Sequence, residues 1–269
     1  VQQNIAFNKG WTWVSMNVLD ANFADLNELT KGLSLETDDR IQSHSPARLE
    51  TYYKDESTPA QSSWSGEISD SIGLTNTKMY KVFTTNQNTL VLKGAPVAIS
   101  NWNFPIQTNW NWLPYILLGN QLTNEALAYF DATDGDVIKS QSLFAIYDPL
   151  VGWNGTLNYL ESGTGYMIKS SKEQSFTYPN YLAKAGKFNR GKNQNSLTDL
   201  DQETIMSEFT QYAYNMNAVV SLPQGYDELF VYDAKGVLKG ATVNQDINNK
   251  ALSFITVYGE MPETLVFYI

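Results

Sequence analysis

The sequence predicts a mainly β protein with short helices: two tandem related β-rich units, then a C-terminal β-sandwich-like domain. Three observations lead there. Aromatic residues make up 13% of the chain, with 7 Trp and 16 Tyr, and such side chains favour pleated, half-buried surfaces. A block from Asp136 to Lys169 has a looser copy from Asp39 to Val82, and self-similarity of this kind marks repeated structural units. From Phe209 to Ile269 apolar and polar residues alternate, as in YAYNMNAVVSL and LSFITVYG, which is the pattern of half-buried strands.

In the doubled block DRIQSHS stands for DVIKSQS, Trp64-Ser-Gly for Trp153-Asn-Gly, and TKMYKV for TGYMIK. The offset shrinks from Trp11/Trp110 to Trp64/Trp153, so the first copy carries longer loops, notably Lys54 to Ser63. Residues 5–18 read as paired strand material. Trp11, Trp13, Ser15 and Asn17 lie on one face, and Val14, Met16 and Val18 on the other. Phe23, Leu26, Leu29 and Leu33 have helical spacing, with Gly32 as terminator. In the second copy Trp110 and Trp112 open the unit, and Asn124 to Phe130 forms a short helix capped by Asn124 or Thr123.

An acidic turn follows each helix, Glu36 to Asp39 or Asp131 to Asp136. Next come a strand, a tyrosine-bearing strand (Tyr52 and Tyr53, or Phe144 and Tyr147), a Trp-x-Gly turn and a final strand. Thr89 to Ile99 reads as strand–turn–strand, and Ser175 to Pro179 as its shorter counterpart. The boundaries are 1–100 and 101–180 for the two units, 181–208 for a polar linker or exposed loop, and 209–269 for the antiparallel C-terminal domain. Within that domain Asp233 to Gly236 is a hairpin turn.

The net charge of −10 and the pI near 4.6 argue against nucleic acid or an anionic membrane as partner, since either needs a basic surface. Lys184, Lys187, Arg190 and Lys192 form a local basic stretch, read as a solvated loop. There is no cysteine, which excludes disulfides, thiolate catalysis and cysteine metal sites and leans towards a bacterial origin. No run has the length of a transmembrane segment, so no membrane insertion is expected. No signal peptide is read, and Val1 is taken as the start of a mature or excised segment.

The doubled block resembles a repeat of large secreted or surface-displayed proteins of Bacteroidetes and related bacteria. The residues that carry the resemblance are Asn109-Trp110-Asn111-Trp112, Gly135-Asp136-Val137-Ile138-Lys139-Ser140-Gln141, Phe144-Ala145-Ile146-Tyr147, Gly152-Trp153-Asn154-Gly155-Thr156-Leu157 and Gly163-Thr164-Gly165-Tyr166-Met167-Ile168-Lys169. The first copy departs from it at Arg40, Gln42 and His44. The C-terminal part, with Tyr214 to Met216 and VYDAKGVLKGAT, is similar to a β-module at the ends of such proteins. The resemblance implies an extracellular or cell-surface, non-catalytic accessory role within a larger polypeptide, and it assigns no catalytic residue.

The chemistry-bearing residues agree with that expectation. His44 is the single histidine, and the second copy has Gln141 in its place, so a polar strand residue is favoured over a catalytic base. No nucleophile elbow, phosphate loop or zinc-binding helix motif occurs. A hydrolase working with two carboxylates is the weakest alternative. Asp131, Asp134 and Asp136 are the candidate oxygen ligands for a structural calcium. Turn formation accounts for them more simply, and no cofactor is expected.

Trp11/Trp13 and Trp110/Trp112 recur in register, which favours core or inter-unit packing. Trp64 and Trp153 precede glycine in turn-like contexts and are the best placed to be partly exposed. With Tyr53, Tyr147 and Trp102 they are the candidate ligand-binding residues, able to stack on sugar rings. The expected function is carbohydrate binding, with polysaccharide and other domains of the parent polypeptide as partners. The alternative is a structural spacer or adhesion segment.

Overall fold

Gln3, Ile5 and Phe7 point inward from the first strand while Gln2, Asn4 and Ala6 face outward, as the two-residue period of a strand requires. The computed structural model describes residues 1–99, 102–179, 212, 214–223, 228–235, 237–247, 250–259 and 264–268, and these are mainly β. The first copy contains β1 (Gln2–Phe7), β2 (Gly10–Val14), β3 (Val18–Asp20), β4 (Arg40–Ser43), β5 (Arg48–Tyr53), β6 (Ser63–Gly66), β7 (Tyr80–Thr84) and β8 (Asn88–Pro96), with helix α1 (Leu26–Leu29) after β3. The second contains β9 (Phe104–Ile106), β10 (Asn109–Leu113), β11 (Gln121–Leu122), β12 (Val137–Lys139), β13 (Phe144–Asp148), β14 (Gly152–Gly155), β15 (Tyr159–Leu160), β16 (Tyr166–Ser170) and β17 (Gln174–Phe176), with helix α2 (Thr123–Ala126) after β11.

Two five-stranded sheets have the same order, β2-β7-β4-β5-β6 and β10-β16-β12-β13-β14. Register fixes the equivalences. Trp13 lies opposite Lys81 and Trp112 opposite Met167, while Tyr52 lies opposite Trp64 and Tyr147 opposite Trp153. Each sheet has its own apolar core. The first core joins Ile41, Trp64, Tyr80 and Val82 to Ile5, Phe7, Leu90 and Leu92 of β1 and β8. The second joins Ile138, Trp153, Tyr166 and Ile168 to Phe104, Ile106 and Phe176 of β9 and β17.

Four local expectations change. Residues 5–18 are not one pair: β1 pairs with β8 and β2 with β7, because their apolar faces serve different layers. Residues 89–99 contain no turn. β8 runs through Gly94, whose missing side chain lets the Leu19 carbonyl of β3 come against it. The helix expected near 21–33 shrinks to α1, because Asp25 caps the Asn27 and Glu28 amides and Asp20 holds Asn22 in a turn before it. Neither Thr123 nor Asn124 caps α2. The Thr123 hydroxyl donates to the Leu157 carbonyl and the Asn124 amide is committed to Trp153.

The chain divides into two compact units, Val1–Gln141 with Ala145–Lys184 and Ser142–Phe144 with Ala185–Ile269. The second unit contains β18 (Tyr214–Ser221), β19 (Glu228–Asp233), β20 (Leu238–Ile247), β21 (Lys250–Gly259) and β22 (Leu265–Tyr268) in the order β18-β21-β20-β19-β22. Leu222, Leu229, Val231, Ile255 and Val257 form its core. The β19–β20 turn is held by Asp233, whose carboxylate accepts from the Lys235 and Val237 amides. The linker 181–208, with its basic stretch, lies outside the described residues.

Inside the first unit the two sheets meet along β2. The Ser15 amide donates to the Gly163 carbonyl at 3.0 Å and the Gly165 amide to the Trp13 carbonyl at 3.1 Å. Gly163 takes a left-handed conformation at φ +94°, and a Cβ at Gly165 would lie 2.9 Å from the Val14 carbonyl and 3.0 Å from Met79 Cβ. Met79 is the first-copy equivalent of Gly165 by register, so the equivalent positions touch each other. Gly165→Leu therefore wedges the sheets apart. We expect a loss of about 3 kcal/mol, read as a lower urea midpoint with red-shifted tryptophan emission; an unchanged midpoint would refute the close approach.

Candidate functional site

Trp64 and Trp153 are buried in the two cores, which corrects the expectation that they are partly exposed. The reason lies in the short helices. The Trp64 amide donates to the Asn27 side-chain oxygen at 2.9 Å, and the Trp153 amide donates to that of Asn124 at 2.7 Å. Each Trp-x-Gly segment is thereby pulled under its helix. The Trp64 indole N–H then donates to Thr30 Oγ1, and Trp153 packs edge-on to Phe130. Tyr52 and Tyr147 close the rings in T-shaped contacts at 5.3 and 5.4 Å.

The tyrosine equivalent to Tyr147 is thus Tyr52, and Tyr53 stands apart, 58% exposed. Trp102 is half-buried against the second core. These five candidates form no common platform: three are spent on packing around the Trp-x-Gly turns, Trp102 covers a core, and Tyr53 faces solvent. Asn27 is missed from sequence and Asn124 is read only as a helix cap, although the shared Asn-Glu pair in LNEL and TNEA marks both.

The acidic turns also act inward. Asp39 accepts from the Thr85 amide and hydroxyl with one oxygen and from the Glu36 amide with the other. Asp136 repeats this with the Ser171 amide and hydroxyl and the Thr133 amide, at 2.8, 2.6 and 2.9 Å. Both carboxylates are buried and staple the turn to the end of the sheet. Asp131 pairs with Lys172 at 2.6 Å. Among the described residues no three metal-ligating side chains converge. Glu50, fully buried, accepts from the Ile68 and Ser69 amides and the Ser69 hydroxyl.

The unusual chemistry lies between the sheets. β2 is buried on both faces, with Val14 in its own core, Trp11 against Phe83 of the neighbouring strand and Trp13 facing Lys139 of the second sheet. Lys81 Nζ sits 4.5 Å from the Trp13 ring and 5.0 Å from the Trp112 ring. Lys139 Nζ sits 5.1 Å from Trp110 and 5.8 Å from Trp13. Arg40 lies over Trp11 and Phe83. His44 stacks on Trp112 across the seam, while its equivalent Gln141 donates to the Trp11 carbonyl. The reciprocity explains the recurring tryptophans: each copy covers the other's tryptophan strand. Trp110 remains 37% exposed, the most open tryptophan of the seam.

Burial pulls both lysines down to about 8, and for Lys139 the neighbouring charge of Lys81 adds to it. Such a fall from 10.5 destabilises the folded chain by roughly 3 kcal/mol per lysine at neutral pH, and attraction to the indole faces offsets about 1 kcal/mol of each. From about pH 8 to 10 the unfolded chain holds more protons on these lysines than the folded chain, so stability rises. Above about pH 10 the sign reverses, because burial raises Tyr115, Tyr166 and Tyr178 and only the unfolded chain ionises them freely. Among the described residues Arg40, His44 and Lys169, the cross-strand partner of Trp110, also face this seam. The urea midpoint is expected to peak between about pH 9 and 10, and Lys81→Met to flatten its rising limb. A midpoint falling steadily over that range would refute the assignment.

A cavity of about 20 Å³ lies in the first core, lined by Ile5, Phe7, Trp64, Tyr80 and Leu90 among others. That is room for roughly one water, between walls too apolar to hold it. In comparisons with protein-family models, curated proteins and solved structures, nothing matches this chain.

Proposed function

We propose that the chain is a non-catalytic structural and adhesion segment of a larger secreted or cell-surface protein. One observation carries this reading: the recurring residues are consumed in holding the two sheets and their turns together. Trp64 and Trp153 fill cores, Asp39 and Asp136 have both oxygens occupied, and Lys81 and His44 of one copy and Lys139 and Gln141 of the other reach across to the facing tryptophan strand. The reciprocal pairing closes on itself as a two-fold interface does. Further copies in a longer chain would therefore add as separate pairs. The extracellular setting rests on the resemblance of the doubled block to surface proteins of Bacteroidetes.

A second reading, carbohydrate binding, has one observation in its favour. Trp110 is 37% exposed and shares a strand face with the half-buried Trp112, which supports a sugar platform there and no longer at Trp64 or Trp153. Affinity electrophoresis in gels containing plant, algal or host polysaccharides separates the two. The structural reading expects unchanged mobility in every gel. Retardation abolished by Trp110→Ala would replace it with the second reading.

A further inference from the structure

We infer that β1 is an open sheet edge through which two molecules of this chain pair, antiparallel and about a two-fold axis. β1 is an outer strand in the order β1-β8-β3. The Val1 amine donates to the Gly94 carbonyl and the Gly94 amide to the Val1 carbonyl, so these two residues form a doubly bonded pair. Bonded and non-bonded pairs alternate along an antiparallel ladder. Gln3, Ile5 and Phe7 therefore bond to β8, and the amides and carbonyls of Gln2, Asn4 and Ala6 point away from it. Those three residues are exposed, and among the described residues none bonds to their outward backbone groups.

The second copy treats its equivalent strand differently. The Asn8 amide donates to Thr12 Oγ1 and the Gln107 amide to Asn111 Oδ1, so β9 is the counterpart of β1 and Pro105 stands at the place of Ala6. β9 has three residues, and its proline has no N–H to offer an incoming strand. β1 has six residues, with no proline and no charged side chain among them. Short length, proline and charge are devices that keep a sheet edge from pairing, and β1 lacks all three. Register names the occupant. Centred on Asn4 the strand is its own complement: Gln2 lies opposite Ala6 of the second molecule, Asn4 opposite Asn4, and Ala6 opposite Gln2. Each pair exchanges both backbone bonds, and the two Asn4 side chains meet on one face. A neutral strand also spares the contact itself the repulsion expected of a chain with net charge −10. The pairing goes beyond the structural reading of the chain and does not depend on it.

Sedimentation velocity of the full chain tests the pairing. A strand-edge interface is small and its dimer weak, so the sedimentation coefficient should rise from monomer towards dimer between about 5 and 500 µM. Ala6→Pro installs the residue of the second copy and removes an outward N–H; the dimer dissociation constant should rise at least about tenfold. Asn4→Lys sets two like charges opposite each other and should weaken the dimer as much. Val91→Thr, at an exposed position on the neighbouring strand, should associate like the wild type. Should Ala6→Pro fail to fold by circular dichroism, Asn4→Lys alone decides. A wild type that stays monomeric throughout, leaving the edge to a strand of a different protein, overturns the pairing. So does association unchanged in either folded edge variant.

Discussion

Replacing Asp136 by alanine should cost the first unit about 4 kcal/mol and lower its melting temperature by roughly 10 °C. The carboxylate is buried and accepts three hydrogen bonds, from the Ser171 amide, the Ser171 hydroxyl and the Thr133 amide. Alanine leaves two backbone N–H groups facing the emptied site, where little water can reach them. The cost of unmet buried donors exceeds the modest net worth of the bonds themselves. Asp136→Asn, which keeps one acceptor oxygen, should lose about half as much. Asp39→Ala removes the equivalent contacts to Thr85 and Glu36 and should match Asp136→Ala. Calorimetry of the four proteins tests the set. Loss of stability on calcium removal from the wild type, absent in Asp136→Ala, would return these aspartates to metal binding.

Trp153→Ala is expected to cost about 4 kcal/mol through the cavity it leaves. The ring packs on Phe130 and Tyr147, and its own amide is tied to Asn124, so the surroundings cannot collapse freely onto the gap. Trp64→Ala should behave alike. Trp64→Phe should lose about 1 kcal/mol more than packing alone predicts, because the bond from the indole N–H to Thr30 goes with it. Denaturant titration followed by far-ultraviolet circular dichroism reads each loss. A Trp153→Ala protein as stable as the wild type would show that the ring is not a core element, and would reopen its role as a binding residue.

Much of the architecture was legible without coordinates. The strand at LSFITVYG, the acidic turns and the Asp233 hairpin appear where local pattern places them, although Ser253 to Tyr258 are buried on both faces of the strand and do not alternate as half-buried. These are decided by neighbours a few residues apart, through strand geometry and side-chain-to-backbone hydrogen bonds. The short helices were harder. Phe23, Leu26, Leu29 and Leu33 have helical spacing, yet only Leu26–Leu29 is helix. The capping aspartate sits late, at Asp25, and the flanking apolar side chains reach the core from turns. Trp64 and Trp153 were misjudged for a related reason. A Trp-x-Gly turn looks exposed locally, but an asparagine on a helix many residues earlier draws its backbone inward.

The sequence by itself determined that this is a mainly β chain, and its doubled block already set Trp11 beside Trp110 and His44 beside Gln141. Only the tertiary structure decided what those equivalences are for. Alternation along β2 separates Trp11 and Trp13 from Val14, but it cannot state which side water occupies. The answer depends on a sheet formed by a distant part of the chain, which brings Trp112 over Lys81 and Lys139 towards Trp13. Burial, and with it the lowered lysine protonation, belongs to that pairing of surfaces rather than to either strand.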